Sequence, residues 1–214
     1  MEIVTEEKIP VRITWIKNEK GKTVPEILIG LDYVFKEGAS ISTRIEKFKK
    51  RYLNLVKKAH VIIPQKKAVY RHKNSKKRSK TPAAKNALFY WKVGNLFKRF
   101  NDEVKNEFEI INYSQALEHD FGLSNRYVQE LMIFSELFEK NEILDSIPMA
   151  IYRALVWKKN LLEEIGELGK EKSRLLKRGK NNEFIGRENY KRELTILTKS
   201  KKLQNTSSTS ELDV

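Results

Sequence analysis

The sequence predicts an α+β chain: a small N-terminal β-hairpin and helix unit, followed by a mainly α-helical domain. Three observations predict it. Residues 9–35 hold an alternating apolar run, a polar turn and a second apolar run. Beyond residue 82 the aromatic and aliphatic residues recur at the helical period. Between the two lies a stretch crowded with lysine and arginine and poor in apolar residues.

In "VRITWIK", Val11, Ile13 and Trp15 alternate with Arg12, Thr14 and Ile16. "NEKGK" then supplies turn residues before the apolar run "PEILIGLDYVF", so a hairpin is expected. After "KEGAS", Ser40 or Ser42 can cap a helix to about Lys58, with Ile41, Ile45, Phe48, Tyr52, Leu55 and Ala59 on one face and Lys47, Lys49, Lys50, Lys57 and Lys58 on the other. "HVIIP" and "KAVYRH" read as two short strands. Thr81 and Pro82 then offer a cap and a first-turn proline. Phe89, Val93, Leu96, Phe97, Phe100 and Val104 form one face of a long amphipathic helix that needs partners to bury its rings. "NYSQALEHDF", "NRYVQELMIFSELFEK" and "SIPMAIYRALVWKKNLLEEIGELGKEKSRLLKRG" supply them, the last holding two helices or one long one, with a short helical segment after it. The domains expected are residues 1–72, a small basic α+β unit; 73–81, a basic linker; 82–200, the helical domain; and 201–214, a polar, Ser/Thr-rich disordered tail.

Composition narrows the function classes. The 214 residues are 40% hydrophobic and 10% aromatic, which is ordinary for a folded chain. No cysteine is present, which excludes disulfides, thiolate metal ligands and thiol nucleophiles. His60, His72 and His119 are scattered, so no metal and no cofactor are expected. "MEIVTEEKIPVRI" opens with acids where a signal peptide needs basic and apolar segments, and no apolar run is long enough to span a bilayer. A cytoplasmic protein without a membrane partner is the expectation.

The net charge of +15 is concentrated. From Lys47 to Asn101 there are 18 Lys and Arg and no Asp or Glu, which leaves −3 for the rest of the chain. Arg71, Lys73, Lys76, Lys77, Arg78 and Lys80 fall within ten residues. Solubilising surfaces intersperse both signs, so so long a stretch without an acid points to a polyanion as partner.

The stretch "QALEHDFGLSNRYVQELMIF" fits a helix-turn-helix template. Gly122 supplies the turn, Leu123 the apolar plug and Ser124 the cap of the second helix, while Val128 and Leu131 face Leu117 and Phe121 across the motif. Most such motifs carry alanine four residues before the glycine; here stands Glu118, so Ala116 or Leu117 is expected to take the packing role. Asn125, Arg126, Gln129 and Glu130 are then the outward positions, and the side chains of the first three can pair bidentately with base edges. Ser124, Asn125, Arg126 and Gln129, with the six basic residues between Arg71 and Lys80, are the candidate contacts to double-stranded DNA.

These residues also carry a family resemblance. "GLSNRYVQELMIF" followed by "SIPMAIYRALV" resembles the helix-turn-helix of ParB/KorB-type partition proteins, with Gly122, Ser124, Tyr127, Val128, Leu131 and Arg153-Ala154-Leu155 in the matching places. The run from "ALFYWKVGNLF" to "SIPMAIYRALV" is also similar to the helical N-terminal domain of YhcG-type nucleases, through Tyr90, Trp91, Gly94, Leu123, Ser124 and Phe134. Either resemblance covers about residues 85–157 and implies a DNA-binding helical domain. The arginine-rich nucleotide motifs of the first family and the carboxylate-and-lysine signature of the second are absent.

Three function classes follow. The first is a sequence-specific DNA-binding protein of regulatory or partition type. The second is a metal-dependent DNA endonuclease of restriction or mobile-element type; its carboxylates would come from Asp32, with Glu26 and Glu37 near it in sequence, since "EVK" at 103–105 sits on the amphipathic helix. The third is an RNA-binding or ribosome-associated module. A homodimer through residues 158–178 is also expected, because Leu161, Ile165, Leu168, Lys172 and Leu175 follow the four-three spacing of a coiled-coil seam.

Overall fold

The computed structural model describes residues 8–29, 39–63, 87–183 and 185–209. The fold is α+β and mainly helical. Among the described residues are β1 (Ile9–Lys17), β2 (Thr23–Ile29), α1 (Ala39–Ile62), α2 (Ala87–Val104), β3 (Phe108–Ile110), α3 (Tyr113–Phe121), α4 (Asn125–Leu137), α5 (Met149–Glu164), α6 (Leu168–Lys180) and α7 (Arg187–Thr209). They fall into two compact units, one within 1–77 and 92–132, the other within 78–91 and 133–214. The sequence-based division at 73–81 placed the hairpin apart from the helix-turn-helix. In the structure the two share the first unit, because β1 and α1 find their partners in β3, α2 and α3.

In the first unit β1 is the central strand, antiparallel to β2 and parallel to β3. Ile9, Val11 and Ile13 are fully buried on its inner face, as the alternation requires. The hairpin turns at Asn18, whose side-chain oxygen accepts the N–H groups of Lys20 and Lys22 at 3.1 and 2.9 Å, and at Gly21, with φ of 68°. Pro25 lies opposite Trp15 on β2, which has only β1 as neighbour among the described residues, so its missing N–H breaks no ladder bond.

β3 was not foreseen. "NEFEI" follows an amphipathic helix with no glycine or proline to mark its end, yet α2 stops at Val104 and Phe108–Ile110 pairs with Ile9–Val11. Asn112 prolongs the ladder with its side chain, accepting from Ile13 N at 2.9 Å and donating to Ile13 O at 2.7 Å. The strand expected at "HVIIP" is instead the last turn of α1, whose amphipathic period carries on through His60 and Ile62. "KAVYRH" and the Thr81-Pro82 cap lie outside the described residues.

The core of this unit is aromatic. Phe48 of α1 meets Phe108 and Phe100 at ring separations of 4.9 and 6.1 Å, and Phe97 of α2 meets Phe121 edge-on at 5.1 Å. One glycine sets how closely two helices approach. A Cβ at Gly94 would lie 1.9 Å from the carbonyl oxygen of Leu131, so the backbones of α2 and α4 touch where only glycine fits.

In the second unit Tyr152 of α5 is fully buried between Phe134 and Phe138, with ring centroids at 5.2 and 4.9 Å. Its hydroxyl donates to Glu142 O and accepts from Leu144 N, which satisfies the buried oxygen. Leu175 of α6 packs into the same core as Tyr190 and Leu194 of α7. The leucine seam expected over 158–178 does not exist as one helix. Gly166 takes φ of 69° and separates α5 from α6, so Leu161 belongs to one helix and Leu168, Lys172 and Leu175 to the next. Leu175 is spent on the intrachain core, and Lys172 pairs with Glu142 at 2.7 Å. α7 also continues to Thr209, into the tail expected to be disordered.

Replacing Gly94 with alanine drives a methyl group into a backbone carbonyl that no rotamer change can move aside. Destabilisation of about 3 kcal/mol, the upper part of the range for overpacking, is expected in urea unfolding. An unchanged midpoint would show that α2 and α4 part without cost.

Candidate nucleic-acid interface

α3, Gly122 and α4 form a helix-turn-helix from local chemistry. Gly122 adopts φ 63° and ψ 30°, the left-handed conformation that lets a helix end in a sharp turn. Its N–H donates to Glu118 O at 3.0 Å, and the N–H of Leu123 donates to Leu117 O at 3.3 Å. Ser124 Oγ accepts the N–H of Tyr127 at 3.3 Å and so caps α4. Ala116, Leu117, Phe121, Val128 and Leu131 are buried. Glu118 is exposed, so the packing role falls to Ala116 and Leu117, two and one positions earlier than in the usual motif.

On the outer side of α4, Arg126 and Gln129 are exposed and Asn125 is half-buried. The side chain of Arg126 keeps 87% of its surface open and has Glu130 at 3.6 Å, one turn on. The Asn125 side-chain oxygen is buried without a hydrogen-bond partner, the kind of atom that a ligand or an ordered water completes. Ser124, Asn125, Arg126 and Gln129 are therefore brought together at the start of one helix. Arg71, Lys73, Lys76, Lys77, Arg78 and Lys80 lie outside the described residues.

A second feature escaped sequence reading. Asp120, at the end of α3, accepts Trp15 Nε1 at 2.8 Å on one oxygen and the Tyr52 hydroxyl at 2.5 Å on the other. His119 Nδ1 lies 2.7 Å from the first oxygen, and the His119 ring rests on Trp15 with centroids 4.0 Å apart. Burial, with Asp120 beside it, pushes the Tyr52 hydroxyl far above its ordinary pKa, so it stays a donor. His60 Nε2 lies 3.0 Å from Asp120 O. One carboxylate thus ties β1 and α1 to the first helix of the motif. An aspartate in an amphipathic helix reads as solvent-facing, and its donors sit more than 60 residues upstream, so no local signal could reveal it.

For the nuclease alternative, no group of three or more His, Asp or Glu among the described residues is placed to hold a metal ion. Glu26 lies on β2 opposite Thr14, and Asp32 and Glu37 are outside the described residues. In "EVK", Glu103 faces Arg51 at 3.9 Å and Lys105 pairs with Asp102 at 2.7 Å, so the three letters do not converge on a site. No helix among the described residues is long and apolar enough to cross a membrane.

No protein-family model matches the chain, and no curated protein or solved structure matches it either.

Replacing Asp120 with alanine leaves the Trp15 and Tyr52 donors without their acceptor. With hydrogen bonds to charged groups at about 1.5–3 kcal/mol each, a loss of roughly 3 kcal/mol is expected in urea unfolding, and Tyr52→Phe should lose about half of that. Equal stability of all three proteins would show that the network is not structural.

Proposed function

We propose that the protein binds double-stranded DNA sequence-specifically, as a regulatory or partition protein. In this reading α4 lies in the major groove, Arg126 and Gln129 contact base edges, and the basic segment between Arg71 and Lys80 neutralises phosphates. The observation that carries it is the α3–Gly122–α4 geometry: a left-handed glycine turn, a serine-capped second helix, buried Val128 and Leu131 beneath it, and exposed Arg126 and Gln129 above. The resemblance to partition-type motifs points the same way. The charge block supports a polyanionic partner independently of the motif. A C-terminal leucine seam is not needed, since one recognition helix per chain suffices for the base contacts.

Selection of bound fragments from random duplex DNA, repeated with magnesium to detect cleavage, tests the reading. Enrichment of a common sequence is expected, without cleavage. Arg126→Ala or Gln129→Ala should then lower discrimination between the selected and a random duplex by about 1–3 kcal/mol. Replacing Lys76, Lys77 and Arg78 with alanine should weaken both duplexes alike, and flatten the salt slope by about one unit per lost phosphate contact. A uniform loss in both sets of variants would remove α4 from the role of recognition helix.

A further inference from the structure

We infer that α1 presents a second phosphate-contacting surface, a lysine stripe that lies along the DNA backbone beside the helix-turn-helix; the inference rests on the DNA-binding reading above. At 3.6 residues per turn, Lys47, Lys50, Asn54, Lys57, Lys58 and Val61 fall within a sector of about 100°. All are exposed, and the opposite face of the helix holds the buried Phe48, Tyr52, Leu55 and Ala59.

The pairing of the other cations on α1 sets this stripe apart. Arg44 meets Glu107 at 2.8 Å, Arg51 meets Glu107 and Glu103 at 3.7 and 3.9 Å, and Lys49 meets Glu46 at 3.9 Å. Lys47, Lys50, Lys57 and Lys58 have no carboxylate within 4 Å among the described residues. The helix therefore sorts its charges: Arg44 and Arg51 tie α1 to acids beyond it, Lys49 pairs within the helix, and the cations left over share one open face. Lys47 and Lys50, three residues apart, repel each other across one turn, and a line of phosphates would reverse that cost.

The position of the stripe fits the same partner. His60 Nε2 lies 3.0 Å from Asp120 O and its ring meets Phe121, so the end of α1 abuts the end of α3 just before the Gly122 turn. Tyr52 fixes α1 to the same aspartate two turns earlier. In helix-turn-helix complexes the first helix of the motif crosses the backbone, so an element bound to its end lies beside phosphates. From Lys47 to Lys58 the helix rises about 17 Å. Phosphates on one strand follow every 3.4 Å or so along the duplex axis, so each of the four lysines can meet a different one. A compact ammonium on a flexible stem suits such contacts, which position without reading sequence.

The test uses the full chain with Lys47→Gln, Lys50→Gln, Lys57→Gln and Lys58→Gln combined, against wild type and Arg126→Ala. Each protein is titrated with the duplex selected by the wild type and with a shuffled duplex of equal length, over a sodium chloride series. The four side chains are exposed, so an unchanged thermal melt is expected; should the melt fall, the double variant Lys57→Gln and Lys58→Gln is read instead. The expected result is a slope of log affinity against log salt that is shallower by about two to four, one unit per lost contact, with the preference for the selected duplex unchanged. An unchanged slope in a protein that still prefers the selected duplex overturns the stripe and leaves the recognition helix standing. A shallower slope in a protein without any duplex preference keeps the stripe and removes the recognition helix. Failure of the wild type to bind either duplex overturns both, and displacement of the selected duplex by a stem-loop RNA at lower concentration than by unlabelled DNA overturns the assignment to DNA.

Discussion

The backbone contact between Gly94 and Leu131 is the constraint on which the helix-turn-helix depends. Any side chain at position 94 would hold α4 away from α2, because the atom it meets is a main-chain oxygen and not the end of a flexible side chain. With the two helices in contact, Val128 and Leu131 can enter the core while Arg126 and Gln129 remain outside. A helix whose buried face is fixed that tightly has a fixed rotation about its axis. In the proposed DNA-binding mode, sequence-specific contact would depend on that rotation, since a turn of one residue, about 100°, would exchange the exposed positions of Arg126 and Gln129 for core positions.

The second fixed point lies at the other end of the motif. Asp120 is a nearly buried carboxylate, and such a group is tolerated only when its oxygens are supplied with donors. Trp15 and Tyr52 supply them from β1 and α1, and the price of burying one charge is offset by joining three elements. The aromatic core beneath, with Phe48 against Phe100 and Phe108, is non-directional and would accept several relative rotations of α1. The hydrogen bonds are directional and select one. The hairpin unit therefore acts as a buttress of α3, which explains why it shares a compact unit with residues far along the chain.

Much of this was legible where the signal is local. The alternation of Val11, Ile13 and Trp15, the stripe from Ile41 to Ala59, and the Gly122–Ser124 punctuation each specify their element from neighbouring residues. What failed was either non-local or conformationally ambiguous. β3 is three residues long and owes its existence to β1, which lies about a hundred positions earlier. Gly166 and Gly169 look alike in sequence, yet the first takes a left-handed turn and the second sits inside α6. Nothing local tells them apart, so the segment left two helices or one long one open, and the four-three leucine spacing suggested a seam across the break. Arg126 and Gln129 are exposed where the motif places them, but Asn125 and Glu130, expected outward too, are partly buried; Asp120 was invisible because its partners come from β1 and α1.

The distribution of ion pairs bears on how Arg126 can act. Four arginines join elements: Arg44 and Arg51 reach Glu107 from α1, and Arg174 and Arg178 both reach Glu193 across α6 and α7, consistent with the forked guanidinium being suited to such bridges. Arg126 bridges nothing in this way, since Glu130 is on its own helix. A pair between an arginine this exposed and a neighbour at i+4 is worth little in water, so in the proposed DNA-binding mode its exchange for a guanine edge would carry a small penalty. Glu130 is only 13% exposed, and its carboxylate lies 3.6 Å from Arg126 Nε. In the DNA-binding mode proposed above, this exposed cation would lie close to the cap, where the first turn of a recognition helix meets the bases.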